Sequence, residues 1–497
     1  MRLLGRSYPD ASIELQDLNL KQRILALFED STFRAPVLKL LSGTGAAFVI
    51  AYLANIVLMR LYSDEFWGVA DYIISWVSIL APVASLRYED ALMLPKDKRQ
   101  SAHAYLLALG SVLAFSVLIL VVLSFSDSLI EFFNEKKAGR WILILPLALL
   151  ANRMAKISEM WLSRQESFGK ISVAQVVQSG SMVSVRISAG LVGPGPGGIV
   201  WGFVAGFALS TASMGKRVWQ TLSNSLSGRP TLSEFRQTAI RFRRFPLFTM
   251  PAALLSALIT RLPILLIPEY FDMGVAGQFS RGFNILLVPL SLLGAAVAQV
   301  FYVRAVEANR AGTLSSLATD VHSRLVMMAL VPTTILMVAG PDIFQVMFGE
   351  SWRPSAEYLR YVAPWIMFSV IASPLTRMFD VLERQRLELT VTIIMFVVIL
   401  GSLLFGGLSN NIELMLLYLG IGGALVRIGQ VLVLVHISGA KVWTAFAPYI
   451  KTGLTLSPIL GTLFLISGWA PPFVTTIVAA LGGLAFVFYV LRSEKLL

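Results

Sequence analysis

Residues 46–86 read AAFVIAYLANIVLMRLYSDEFWGVADYIISWVSILAPVASL. Two apolar runs, 36–59 and 66–86, are parted only by the segment from Arg60 to Glu65. Each is about 20 residues long, the length a helix needs to cross the hydrocarbon core. The break is too short for a folded domain and long enough for a turn. The stretch therefore predicts a helical hairpin across a bilayer. The pattern continues with apolar runs at 102–126, 141–163, 168–190 and 195–215. After a polar stretch come 246–267, 276–303, 325–345, 356–382, 387–407 and 411–435, and then 445–467 and 472–491. The expected fold class is an all-α polytopic membrane protein with fourteen transmembrane helices, grouped six, six and two.

Composition agrees. Of 497 residues, 56% are hydrophobic and 14% charged, with a mean hydropathy of +0.72. A soluble surface needs about 25% charged residues, so lipid must be the solvent for most of this one. The chain has no cysteine, which excludes disulfides, thiolate metal sites and cysteine nucleophiles. His103, His322 and His436 are far apart and make no ligand spacing, and no phosphate-binding Gly-x-x-x-x-Gly-Lys loop occurs. No catalytic residues, cofactor or metal are expected.

The net charge of +12 would point to nucleic acid in a soluble protein. Here loop charge explains it. With an even number of spans both termini share a side, and 26 Lys and Arg fall on that side. Only Arg60, Lys136, Lys137, Arg140 and Arg353 fall on the other. Cytoplasmic loops collect basic residues, so both termini are expected in the cytoplasm, and no nucleic-acid partner is needed. Residues 13–28 pattern as an amphipathic helix on that face, giving a cytoplasmic N-terminal segment at 1–33. A basic inter-lobe linker at 216–245 carries Thr231 and Glu234, spaced as a capping box. Phe235, Ile240 and Phe242 would let its helix lie in the membrane interface.

The two six-span blocks, 34–215 and 246–440, echo each other; 441–497 holds the last two spans and the tail. Gly68-Val69-Ala70 returns as Gly274-Val275-Ala276, with Pro82 and Pro289 further on. Leu162-Ser163-Arg164-Gln165 returns as Leu382-Glu383-Arg384-Gln385. Blocks with an even number of spans enter the membrane the same way, as in transporters whose lobes flank a central site.

Specific residues carry a resemblance. Arg60-Leu61-Tyr62-Ser63-Asp64-Glu65-Phe66-Trp67-Gly68, the segment Ser85-Leu86-Arg87-Tyr88-Glu89-Asp90-Ala91 and Arg244-Phe245-Pro246-Leu247-Phe248 resemble motifs of bacterial polysaccharide exporters. These are the O-antigen flippase type of the multidrug/oligosaccharidyl-lipid/polysaccharide (MOP) superfamily. Arg87, Tyr88 and Glu89 match the family's Arg-Tyr-Glu signature. The resemblance covers about residues 34–440. It implies flipping of an undecaprenyl-diphosphate-linked glycan from the cytoplasmic to the periplasmic leaflet of the inner membrane. Membrane lipids and a polysaccharide polymerase or export machinery are the partners it implies. A multidrug or organic-cation antiporter of the same architecture is the alternative, though it would need more intramembrane acids. A glycan polymerase or ligase would need a long periplasmic loop that is absent from the pattern.

Charges inside spans are costly and mark pathways. Lys39, Arg360, Arg377 and Lys451 lie near span ends, where long side chains reach water. Arg153 and Lys156 share a helix face mid-span, with Glu159 below them, and Arg427 is mid-span in the twelfth run. These three bases are expected to line a cationic cavity and bind a lipid diphosphate, since guanidinium matches phosphate oxygens. Asp71, Arg261 and Arg281 lie at similar depth from the periplasmic side. In the resembling family the first two spans of each lobe flank the cavity, so these three are expected to form a periplasmic gate.

Overall fold

The computed structural model describes residues 31–135, 138–226, 228 and 231–493. Most of the expected N-terminal amphipathic segment lies outside them. No strand occurs among the described residues. The first half of the molecule holds α1 (Ser31–Leu61), α2 (Asp64–Ser85), α3 (Lys98–Phe125), the short α4 (Asp127–Glu135), α5 (Leu145–Arg164), α6 (Phe168–Val192) and α7 (Pro196–Leu226). A connecting helix, α8 (Leu232–Arg241), leads to the second half. That half holds α9 (Met250–Tyr270), α10 (Met273–Ala311), α11 (Leu314–Phe348), α12 (Arg353–Leu375), the single turn α13 (Arg377–Val381), α14 (Gln385–Leu408) and α15 (Ile412–Ile437). Two further helices, α16 (Ala447–Ile466) and α17 (Pro472–Ser493), end the chain.

Each expected span overlaps a long helix, although 356–382 is divided between α12 and the single turn α13, and 276–303 falls on a bent helix. Among the described residues eleven helices are long and apolar enough to cross a membrane, or twelve when the bent pair Met273–Leu292 and Val297–Ala311 counts as one. The count of fourteen is therefore not reached on these criteria. The stretch Phe168–Val192 is missing from the set because Lys170, Gln175, Gln178, Arg186 and several serines dilute its apolar character. Such a helix needs protein or a wet cavity on its polar side, and α6 packs against both α1 and α7. Lipid-facing stripes are plain elsewhere: Leu113, Val117, Leu120 and Val121 on α3 and Ile393, Val397 and Leu404 on α14 are exposed. The last pair packs on α11 through a small core of its own, with Ile335, Ala339, Leu456, Leu463 and Phe486.

The helices have two common ends. The basic end carries residues 86–97, 165–167 and 231–249. There Thr231 and Glu234 close a capping box that starts α8. Glu234 also bridges to Arg99 at 2.8 Å, and Arg241 donates to Gln100 at 2.7 Å. The Phe235 ring packs on His103, and Phe242 is buried. These two aromatics, expected in the membrane interface, face protein instead, because α8 lies along α3. Only Ile240 of the expected trio is exposed.

At the opposite end the halves meet. The two Gly-Val-Ala triplets begin α2 and α10, behind matching caps. Ser63 accepts from the Phe66 amide, and Asp272 accepts from the Val275 amide at 2.8 Å. The two helices cross in backbone contact: a methyl on Gly68 would overlap the Met273 carbonyl, and one on Gly277 the Asp64 carbonyl. Small residues permit such close approach between helices in lipid. Around the crossing, the Gln278 amide donates to Asp64 at 2.9 Å and to the Ser351 carbonyl at 2.8 Å. The Arg60 guanidinium, at the end of α1, donates to the Val346 and Met347 carbonyls at 2.9 and 3.2 Å. These oxygens are among the orphan acceptors at the C-terminus of α11. The Trp352 indole donates to the Met59 carbonyl.

Candidate functional site

One turn or more inside the crossing, Asp71 of α2 forms an ion pair with Arg281 of α10 across the two halves. The carboxylate also accepts from the Ser280 hydroxyl at 2.5 Å. Asp71 is 6% exposed, so the pair is held away from solvent. Arg281 lies over the buried Trp67 ring, its guanidinium carbon 4.0 Å from the ring centroid. Arg186 of α6 approaches the same ring at 5.4 Å and donates to the Ile199 carbonyl at 3.2 Å. Cations are drawn to the face of an indole, so Trp67 gathers two guanidiniums from opposite halves. The Tyr62 hydroxyl fixes the α6 backbone by donating to the Arg186 carbonyl at 2.6 Å. Arg261 makes no hydrogen bond or ion pair among the described residues, yet it lies within electrostatic reach of Asp71 and Arg281. Three guanidiniums thus face one carboxylate.

This cluster caps a cavity of about 250 Å³ between the halves. Tyr52 and Asn55 of α1, Ser179 and Arg186 of α6, and Arg281 and Asn284 of α10 supply its polar wall. Phe48, Met182 and Ile285 are among its apolar lining. Asn55 and Asn284 are absent from the residues singled out by sequence, where Trp67 enters only within the Arg60–Gly68 segment and Arg186 is a span cation without a site role. Arg186 is closer to its span end than the other deep cations, and depth alone gives it no partner. What distinguishes it is the polar character of α6 as a whole, which the composition of 168–190 does reveal.

A larger cavity, about 390 Å³, lies toward the basic end of the first half. It is built from α5, α6 and the turn after α2. The residues Leu86 and Arg87 both adopt left-handed backbone, φ 51° and 57°, a conformation that is uncommon away from glycine. The reversal swings the 3-10 turn Tyr88–Met93 under α5. Arg153 and Lys156 do line the cavity together. Each faces a carboxylate, however: Arg153 pairs with Glu89, and Lys156 with Glu159 at 2.8 Å. Arg87 pairs with Asp90 at 2.9 Å and lies 3.7 Å from Glu89. Burial raises the affinity of the Asp90 carboxyl for its proton, against the pull of Arg87. Tyr88 is buried beside them. The lining therefore balances three bases with three acids, rather than presenting the bare cationic surface expected.

Arg427 does not join that cavity. It lies on α15 in the second half, donating to the Ser369 hydroxyl at 3.2 Å and to Gln430 at 2.6 Å. The cations therefore divide into the cluster around Trp67, the balanced cavity and Arg427 alone. Among the described residues no group of three or more His, Asp or Glu side chains converges as metal ligands.

The model of a family described as polysaccharide biosynthesis protein matches residues 39–357, more than half of the chain. The chain belongs to that family. Its fold is shared with solved membrane transporters. It superposes on the lipid II flippase MurJ in an inward closed conformation with a TM-score of 0.69 and 12% identity. The match covers 90% of this chain and 99% of that one. A MATE-family multidrug resistance transporter in an inward-facing conformation gives 0.54 at 14% identity, covering 80% and 94%. A MOP superfamily transporter from Pyrococcus furiosus, described as having a binding pocket of reversed polarity, gives 0.53 at 16%, covering 86% and 96%. No curated protein matches in sequence. The chain is thus a multi-pass membrane protein, helical and without strands among the described residues.

Proposed function

We propose that this protein moves a polyprenyl-diphosphate-linked saccharide, of the undecaprenyl type, across the bacterial inner membrane by alternating access. The cargo passes from the basic end, taken as cytoplasmic from its excess of Lys and Arg, to the opposite leaflet. The observation that carries this reading is the position of Arg281. It lines the inter-half cavity and, in the same geometry, holds Asp71 of the other half. A diphosphate diester carries a negative charge on each phosphorus centre. Arg186, Arg261 and Arg281 against Asp71 leave a net positive cluster that suits it. A phosphate entering the cavity competes with Asp71 for the Arg281 guanidinium. Loss of the Asp71 bond loosens the opposite end, which couples cargo to opening. The gate role of Asp71, Arg261 and Arg281 belongs to this reading, as does the division into two lobes. Arg153, Lys156 and Arg427 are no longer needed to bind the diphosphate. A cation antiporter is disfavoured because no acid lines the inter-half cavity among the described residues.

The test is a leaflet-translocation assay in proteoliposomes, with a fluorescent polyprenyl-diphosphate saccharide and a membrane-impermeant quencher. Arg186→Ala and Arg281→Ala are expected to slow translocation at least tenfold. Wild-type rates from both variants, shown to be folded and correctly inserted, would remove the proposed anion site.

A further inference from the structure

The balanced cavity at the basic end has a chemistry different from the arginine cluster, and its unpaired atoms say what it would take. Glu89 is 2% exposed and Arg153 7%, and both line the cavity. One Glu89 oxygen accepts from the Ser85 hydroxyl at 3.0 Å and from Arg153. Its other oxygen, Oε2, is buried and meets no donor, and Arg153 Nε is buried and meets no acceptor. Glu159 Oε1, two helical turns along, is in the same condition. Buried polar groups are nearly always paired, so each of these atoms calls for a partner. An inorganic anion would satisfy Arg153 but would meet three carboxylates. A metal cation would satisfy the carboxylates but would meet Arg87, Arg153 and Lys156. A hydroxyl both donates and accepts. Neighbouring hydroxyls on one ring satisfy a carboxylate and a guanidinium together. Phe168, Met160 and Ile171 add an apolar wall for the C–H face of such a ring. The volume, about 390 Å³, is within the range of small-molecule sites.

We propose that this cavity, framed by Glu89, Arg153 and Glu159, is a subsite for an uncharged, hydroxyl-rich sugar ring of the cargo, separate from the anion site between the halves. The inference rests on the proposed function and adds the chemistry of the saccharide. Two sites, one for the diphosphate and one for the sugar, let the protein reject a carrier lipid that has not received its glycan.

The experiment compares two probes on the full-length protein in nanodiscs by native mass spectrometry. One is a short-chain polyprenyl diphosphate; the other is the same lipid carrying a neutral chain of four hexoses, long enough to span the roughly 16 Å of helix between Arg186 and Gln175. The readout is the ratio of their affinities. Wild type is expected to prefer the tetrahexosyl lipid at least tenfold, and Glu89→Gln to lose that preference. Because Glu89→Gln also breaks a buried ion pair and can unfold the protein, Ser163→Phe serves as a second variant. It fills the cavity from α5 without touching that pair, and it too is expected to bring the ratio near one. Equal binding of both lipids by wild type overturns the sugar subsite and leaves the anion site standing. A tenfold preference kept by folded Ser163→Phe also overturns it. Binding of neither lipid overturns the proposed function and the subsite with it.

Discussion

At the scale of single residues, the Asp71–Arg281 pair is the most consequential contact. Removing one partner of a buried pair leaves the other charge unpaired and typically costs about 3–5 kcal/mol. Asp71→Asn is therefore expected to lower the unfolding temperature markedly in detergent. The double variant Asp71→Asn with Arg281→Gln should recover most of the loss, which a double-mutant cycle by thermal unfolding would quantify. Additive losses would mean that the two residues act separately. Depth along the helices makes this pairing readable from sequence, because both residues lie at similar distances from span ends. The partner of Arg153 is not readable that way. Glu89 comes from outside any span, through two consecutive left-handed residues, Leu86 and Arg87, that carry no glycine or proline to announce the reversal. The grouping of Arg186 is not readable for a third reason: Trp67 and Arg281, which share its site, sit on two other helices, one of them in the opposite half.

At the scale of elements, the crossing of α2 and α10 depends on the absence of side chains at Gly68 and Gly277. Gly68→Ala or Gly277→Ala should hold the helices apart at the opposite end without breaking either helix, since alanine favours helix over glycine. Spin labels at that end are expected to report a longer mean distance in either variant than in wild type. An unchanged distance distribution would show that the backbones can shift to admit a methyl. The docking of α8 on α3 has its own control. The Glu234 carboxyl is held below its ordinary value of 4.5 by the Thr231 amide, then by the Thr231 hydroxyl, with Arg99 adding to the effect. A group whose affinity for protons is lowered by folding stabilises the folded form above its unfolded value and loses that effect as pH falls through the folded one. Hydrogen exchange across 231–241 should therefore rise below about pH 4. Glu234→Gln should exchange fast at every pH. Equal protection of the variant and wild type at neutral pH would assign the docking to Phe235 and Phe242 instead. The helix itself is legible from its capping spacing; its choice of protein over membrane is not, because amphipathic faces look alike whichever apolar surface they meet.

At the scale of the whole molecule, the fold follows from the spacing of apolar runs, since in lipid every backbone group must be satisfied within a helix. What spacing leaves open is how many helices cross, and α6 shows why: a helix that turns a polar side to a cavity no longer reads as a span. The absence of native cysteine allows the moving parts to be tested cleanly. A short bis-methanethiosulfonate crosslink between cysteines at positions 71 and 281, sized to replace the Arg281 side chain, should form and halt translocation until it is reduced. Free translocation through a quantitatively crosslinked protein would rule out separation of the halves at this point.

The grip of Arg60 on the end of α11 has a further consequence, for how the protein tolerates change. Its acceptors are the main-chain oxygens of Val346 and Met347, which every residue type provides. Positions 346 and 347 are therefore free to drift as far as this contact is concerned, whereas position 60 is not. Saturation mutagenesis should show a one-sided pattern, with Arg60 intolerant even of lysine, whose single nitrogen cannot match the planar fork. Comparison of substitution profiles alone would overlook such a contact, because only one of its two sides keeps a record in sequence.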